Sequence, residues 1–226
     1  MSSISPAKAN HLFWLGRYAE RLFAQLHFLR RYYDLCLDEG REDALQIYCR
    51  KLSLTNCPAD RESFLYQHLF ENTPGSLLYC LECLNDNSIV LREELTTASI
   101  SYVNLCMATI NHCRHKQDIN IVRLQPLTDY ILAFWGSVFQ HVTNIATLDM
   151  LFVGKHVEYI DMYSRFDYPF SRVAAEWESL DHRLGHIEDM VDGRCRNRLR
   201  EIFSDGRDYG KKLPDVLGSL NSLVLV

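Results

Sequence analysis

Apolar residues near the start of the chain recur at alternating steps of three and four: Leu12, Leu15, Ala19, Leu22, Leu26, Leu29, Tyr33 and Cys36. That spacing predicts one long α-helix with a seam of the a/d type over more than three heptads. Phe13, Trp14, Tyr18, Phe23 and Phe28 widen the apolar surface beyond one seam. A helix that is apolar on more than one side is expected to be covered on two sides, in the middle of a bundle. Ser5-Pro6 supplies a cap and a first-turn proline, and Gly40 closes the helix.

Further helical patterns run near Asp43–Leu52 and Arg61–Phe70, from Ser76 towards Thr97, and over Ile100–His115 and Leu127–Val142. Asn72 to Ser76 is a break with a cap, and Lys116–Leu124 is polar and reads as a loop. The next helix begins near Ala146, and Pro169 should kink or end it. Ser171–Val191 and Arg194–Phe203 read as helical, Asp205-Gly206 as a turn, and Lys211–Val226 as a partly apolar last segment. No stretch has the composition of a linker. The expected fold is all-α: a multi-helix bundle with a pseudo-repeated long helix, in a single domain over residues 1–226.

The repeat is visible when Leu12–Phe28 is laid on Met150–Phe166, about 138 residues later. Gly16 meets Gly154, Arg17 meets Lys155, Glu20 meets Glu158 and Phe28 meets Phe166, while the apolar seam stays in phase. A glycine inside a helix costs about 1 kcal/mol relative to alanine. Its recurrence at one phase points to another helix packing close there. The glutamate four residues on shares the glycine's face. Two readings stand: an internal Arg–Glu pair beside a packing glycine, or Glu20 and Glu158 meeting across a pseudo-symmetric bundle as a polar site.

Composition narrows the function classes. The formal net charge is -5, without the basic excess that phosphate contacts need, so nucleic acid is not an expected partner. No uncharged apolar run reaches the roughly 18 to 20 residues of a membrane-spanning helix. Met1 to Pro6 lacks a basic segment followed by an apolar one, so no signal peptide is read there and the cytoplasm is the expected location. The eight cysteines include Cys36, Cys49, Cys80 and Cys106 inside apolar helical patterns, where they are expected to be reduced core thiols.

The run Asn10-His11-Leu12-Phe13-Trp14-Leu15-Gly16-Arg17-Tyr18-Ala19-Glu20-Arg21 resembles the opening of the alpha-E family. Those helical proteins carry an N-terminal Asn, then Trp-Leu-Gly-Arg-Tyr, then Glu-Arg. Ser76-Leu77 through Asn87 and Leu91 to Leu95 resemble the family's central helix, Asn104 and Phe134-Trp135-Gly136 fit later positions, and Met150 to Asp167, with Asp161-Met162, resembles its second Gly-Arg-x-x-Glu helix. Departures are Asn85-Asp86 for a central Arg-Glu, Lys155 for Arg, and Tyr159 for the Arg after the second Glu. Alpha-E proteins are encoded beside, or fused to, circularly permuted ATP-grasp ligases. The resemblance therefore implies an accessory of an ATP-grasp ligase system that forms or modifies peptide or amide bonds, with a peptide or amino acid as substrate.

Other constellations carry less. Cys80-Leu81-Glu82-Cys83 lacks a second ligand pair at zinc spacing, although Cys106, Cys113, His112 and His115 share a helix. His182 and His186, with Glu178 one turn earlier, have a spacing that could ligate a metal, but read first as a solvated or hydrogen-bonded helix face. Arg194, Arg196, Arg198 and Arg200 read as an exposed helix or, second, a docking surface. No phosphate loop, dinucleotide glycine pattern or nucleophile elbow is present, so no cofactor or metal is assigned. The candidate catalytic residues are Glu20, Glu158, Arg17, Arg92 and Glu93, lining a charged pocket. Lys155, Tyr18 and Trp14 are candidates for substrate contact. Alternatives to the partner role are a stand-alone acyl- or amide-transfer or hydrolytic enzyme with a buried Glu as base, and a structural scaffold or homodimer.

Overall fold

The structure is a computed structural model that describes residues 4–226. The reading of Met1 to Pro6 as no signal peptide falls partly on Met1 to Ser3, which lie outside the described residues. The described chain is helical: α1 (Pro6–Asp38), α2 (Ala44–Leu52), α3 (Arg61–Phe70), α4 (Leu77–Val90), α5 (Thr97–His115), α6 (Gln125–His141), α7 (Ile145–Arg165), α8 (Phe170–Leu184), α9 (Gly193–Asp205) and α10 (Leu213–Asn221). Single 3₁₀ turns stand at Ile121–Leu124, Glu188–Met190 and Tyr209–Lys212. The all-α class is as the periodicity predicts.

Local chemistry sets the helix starts. Asp60, Ser76, Thr96 and Asn144 each accept a hydrogen bond from the backbone N–H three residues on, and Asp192 accepts from Arg194 and Cys195. Each such cap is worth about 1 kcal/mol. The Thr96 cap explains where one expected helix divides. The pattern from Ser76 runs only to Val90, and Leu91 to Leu95 form a turn before α5 starts at Thr97. Within α4, Asn87 and Ser88 bond back to the carbonyls of Cys83 and Asn85, a competition with helix hydrogen bonding near the helix end. The helix ahead of Pro169 stops at Arg165, and Pro169 stands at the cap position of α8. That helix ends at Leu184, short of Val191.

The chain divides into two compact units, with α1 continuing from one into the other. The first unit joins residues up to Glu20 with those from Thr143 onward, that is, the start of α1 with α7 to α10. Its core holds Leu12, Leu15, Val153, Val157, Leu180 and Leu199, all at 0% exposure. An antiparallel bridge, Val191 to Val224, pins its last residues, with Asp192 donating to the Leu223 carbonyl and Leu225 to that of Met190.

The second unit, Arg21–Val142, holds the rest of α1 with α2 to α6. Tyr48, Phe28, Phe64 and Phe134 are its largest fully buried side chains. The reading of Cys49 as a reduced core thiol is corrected: it is disulfide-bonded to Cys57, across a separation of 8 residues, with Cα atoms 6.3 Å apart. Cys57 lies in the loop after α2, outside the helical pattern, so helix periodicity carried no sign of the pair. Cys80 and Cys106 are free and buried, and Cys36 is free and half-buried.

Candidate functional site

The site is built on one helix crossing in the first unit. A Cβ placed on Gly16 would overlap the Leu151 carbonyl oxygen and stand 3.0 Å from the Lys155 backbone nitrogen. A Cβ on Gly154 would overlap the Phe13 carbonyl oxygen and stand 3.1 Å from the Arg17 nitrogen. The two sets of contacts are the same under the repeat, since Phe13 corresponds to Leu151 and Arg17 to Lys155. The start of α1 and α7 therefore cross backbone to backbone about a local pseudo-two-fold axis, each glycine set against the other helix.

That closeness brings each helix's cation to the other helix's acid. Arg17 Nε donates to Glu158 Oε2 at 2.7 Å, with side chains 5% and 1% exposed. The opposing charge felt by Glu20 is that of Lys155. The sequence left open an Arg–Glu pair internal to one helix; the pair is instead exchanged between helices. Burial pushes the Glu20 carboxyl from 4.5 up to about 7; Lys155 pulls it back, and Glu176 and Glu158 add to the rise. A carboxyl poised there can take or give a proton near neutral pH.

Aromatic rings surround these charges. The Arg17 guanidinium lies 5.0 Å from the Trp14 ring centre and 5.7 Å from that of Phe13, within cation–π range. Trp14 and Tyr18 are half-buried and 5.5 Å apart. On α7, Tyr159 and Tyr163 stack at 3.8 Å with ring planes 8° apart, and Tyr168 meets Tyr163 edge-on at 4.7 Å. Burial, helped by Glu176 and Glu20 among the neighbours, pushes the Tyr159 phenol up to about 12 and that of Tyr163 higher still. Both stay protonated at neutral pH and can donate.

Two further residues belong here that the sequence reading did not single out. Glu176 on α8 pairs with His156 Nδ1 at 2.6 Å and raises the pKa of Glu20, Tyr159 and Tyr163. The signal available was position: Glu176 flanks the buried stripe Val173, Trp177, Leu180 and Leu184. His156 lies one position after Lys155 on the repeated element, where its partner on α8 could not be foreseen.

Among the other candidates, Arg92 and Glu93 stand exposed in the turn after α4, in the second unit, and not in a buried pocket. His186 Nδ1 lies 2.9 Å from Asp149 Oδ2, whose other oxygen accepts from Arg183 at 2.7 Å, so Asp149 engages the last turn of α8 and the turn after it. The arginines of α9 pair with acids: Arg196 and Arg200 with Asp181, and Arg198 with Asp215. Among the described residues, no group of three or more His, Cys, Asp or Glu could hold a metal ion. No described helix is long and apolar enough to cross a membrane.

No curated protein matches this chain, and no solved structure matches it. Glu20-Arg21, at the crossing, is the one Glu-Arg step in the sequence. The family model of Alpha-E, described as a predicted alpha-helical domain with a conserved ER motif, matches residues 6–188, and the chain belongs to that family.

Proposed function

We propose that this chain is a partner protein of an ATP-grasp-dependent system that forms or modifies peptide or amide bonds, and that the α1–α7 crossing is its proton-handling site. The observation that carries the reading is Glu20, a nearly fully buried carboxyl raised to about 7 beside Lys155. Making or breaking an amide bond moves a proton on or off nitrogen, and a group with that acidity works in either direction near neutral pH. Arg17, held by Glu158, and the protonated Tyr159 and Tyr163 would fix an acyl oxygen by donating to it. Trp14 and Tyr18 would cover the substrate, and Arg92 and Glu93 would serve a contact with the ligase. The match over residues 6–188 supports the pathway, through the company that Alpha-E proteins keep.

The test is co-purification with an ATP-grasp protein encoded alongside, followed by amide formation with and without this chain. The reading predicts a complex and a rate that rises on adding wild-type chain but not Glu20→Gln. No complex together with no rate effect would sink it.

The raised carboxyl also favours a second reading, in which the chain alone catalyses acyl or amide transfer or hydrolysis with Glu20 as general base. Turnover of a peptide amide by the isolated chain, lost in Glu20→Gln, separates it from the first.

A further inference from the structure

The second unit holds a cleft of about 330 Å³ beside the end of α3, at the small end of ligand-pocket sizes. Phe64, Gln67, His68 and Glu71 line it from α3 and its end, and Leu54 and Asn56 line it from the loop after α2. That loop is closed by the Cys49–Cys57 disulfide, and Asn56 Nδ2 reaches Gln67 Oε1 at 3.3 Å. On the other side, Gln25 Nε2 donates to the Gly75 carbonyl at 3.1 Å, fixing the backbone between Pro74 and Ser76, which also line the cleft. The walls are therefore held before any ligand arrives.

His68 is the unusual group here. It is 4% exposed, stacks on Phe64 at 5.4 Å with planes 12° apart, and its Nε2 lies 2.9 Å from the Tyr48 hydroxyl. That hydroxyl is 3.4 Å from the Gln25 carbonyl oxygen. A carbonyl oxygen can only accept, so the Tyr48 proton goes to Gln25, His68 Nε2–H donates to the Tyr48 oxygen, and Nδ1 is left as the ring's acceptor. Nδ1 makes no hydrogen bond among the described residues while the ring lines the cleft. Burial lowers the imidazole to about 4, so the ring is neutral at pH 7.

We propose that this cleft binds a small neutral ligand carrying a carboxamide, such as an amide side chain or one peptide unit, whose N–H donates to His68 Nδ1. An anion is disfavoured, since Glu71 lines the cleft and, among the described residues, no Lys or Arg does. The Asn56 and Gln67 amides give neutral donors and acceptors at the mouth, and the Phe64 ring offers a flat apolar wall to an amide plane. The site is independent of the Glu20 crossing, so either can fail without the other.

The experiment is a titration of the full chain with N-acetylalaninamide, followed through the His68 ring nitrogens by NMR, with sodium acetate as contrast. The proposal predicts a saturable shift at His68 Nδ1, no saturable shift with acetate, and at least a tenfold weaker fit in Asn56→Trp. That variant fills the mouth from an exposed position and leaves Tyr48 and His68 in place. Absence of saturation with N-acetylalaninamide in a folded chain, equal binding of acetate, or undiminished binding by Asn56→Trp would each overturn it.

Discussion

Arg17 and Glu158 show what the crossing asks of single side chains. Both are nearly solvent-free, and Arg17 Nε meets Glu158 Oε2 at 2.7 Å. Removing one partner of such a pair strands the other's charge, at a cost of about 3–5 kcal/mol, whereas replacing both by apolar groups is often neutral. Arg17→Met should therefore lose about that much stability in denaturant unfolding, and Arg17→Met with Glu158→Leu should recover most of it. Equal losses in the single and double variants would mean that the pair is uncoupled. The residue types were readable from the repeat; the exchange between helices was not, because one sequence cannot show which helix faces which. Glu176 and His156 escaped for the same reason: their importance lies in a contact 20 residues apart that only the α7–α8 packing makes.

At the level of elements, the two glycines let α1 and α7 cross backbone to backbone. An alanine on an exposed helix normally gains about 1 kcal/mol over glycine. At Gly16 and Gly154 the added methyl would run into backbone carbonyl oxygens, which cannot move aside as a flexible side chain can. Gly16→Ala and Gly154→Ala should each lose about 1–3 kcal/mol, while Gly136→Ala on α6, where nothing lies within 4 Å, should be neutral or gain. A thermal or denaturant melt of the three variants decides this, and similar behaviour of all three would remove the close crossing. Here the sequence was a good guide, since a glycine repeated at one helical phase has few other physical reasons to exist. It was a poorer guide at α4, where apolar residues carry on past Val90 and the Thr96 cap, not the apolar pattern, sets where the next helix starts.

For the whole molecule, two buried groups pull stability in opposite directions with pH. Glu20 is raised in the folded chain from 4.5 to about 7, so the native state binds the extra proton between those values. Its contribution is full below pH 4.5 and is lost as pH rises to about 7, about 3 kcal/mol in total at 1.36 kcal/mol per unit. His68 is lowered from 6.5 to about 4, so its contribution is full above pH 6.5 and is lost as pH falls through 4. In wild-type chain the two slopes offset each other between about pH 4.5 and 6.5. Each is exposed in a difference: relative to wild type, Glu20→Gln should gain stability as pH rises from 4.5 to 7, and His68→Phe should gain as pH falls from 6.5 to 4. Parallel unfolding curves at every pH would contradict both assignments. Fold class and the Gly-Arg-x-x-Glu element were legible in the chain, whereas neither the Cys49–Cys57 bond nor the buried His68 was, because both depend on how the segments on either side of Pro58 fold back on one another.

The proton-handling role requires Glu20 to be a carboxyl held near neutrality by its burial at the α1–α7 crossing. A ¹³C NMR titration of the glutamate carboxyls, with Glu20 assigned by comparison with Glu20→Gln, measures that directly. The result expected is a midpoint of about 7 for Glu20. A midpoint near the ordinary 4.5 would show a solvated or fully paired carboxylate and would contradict the proton-handling role assigned to this site.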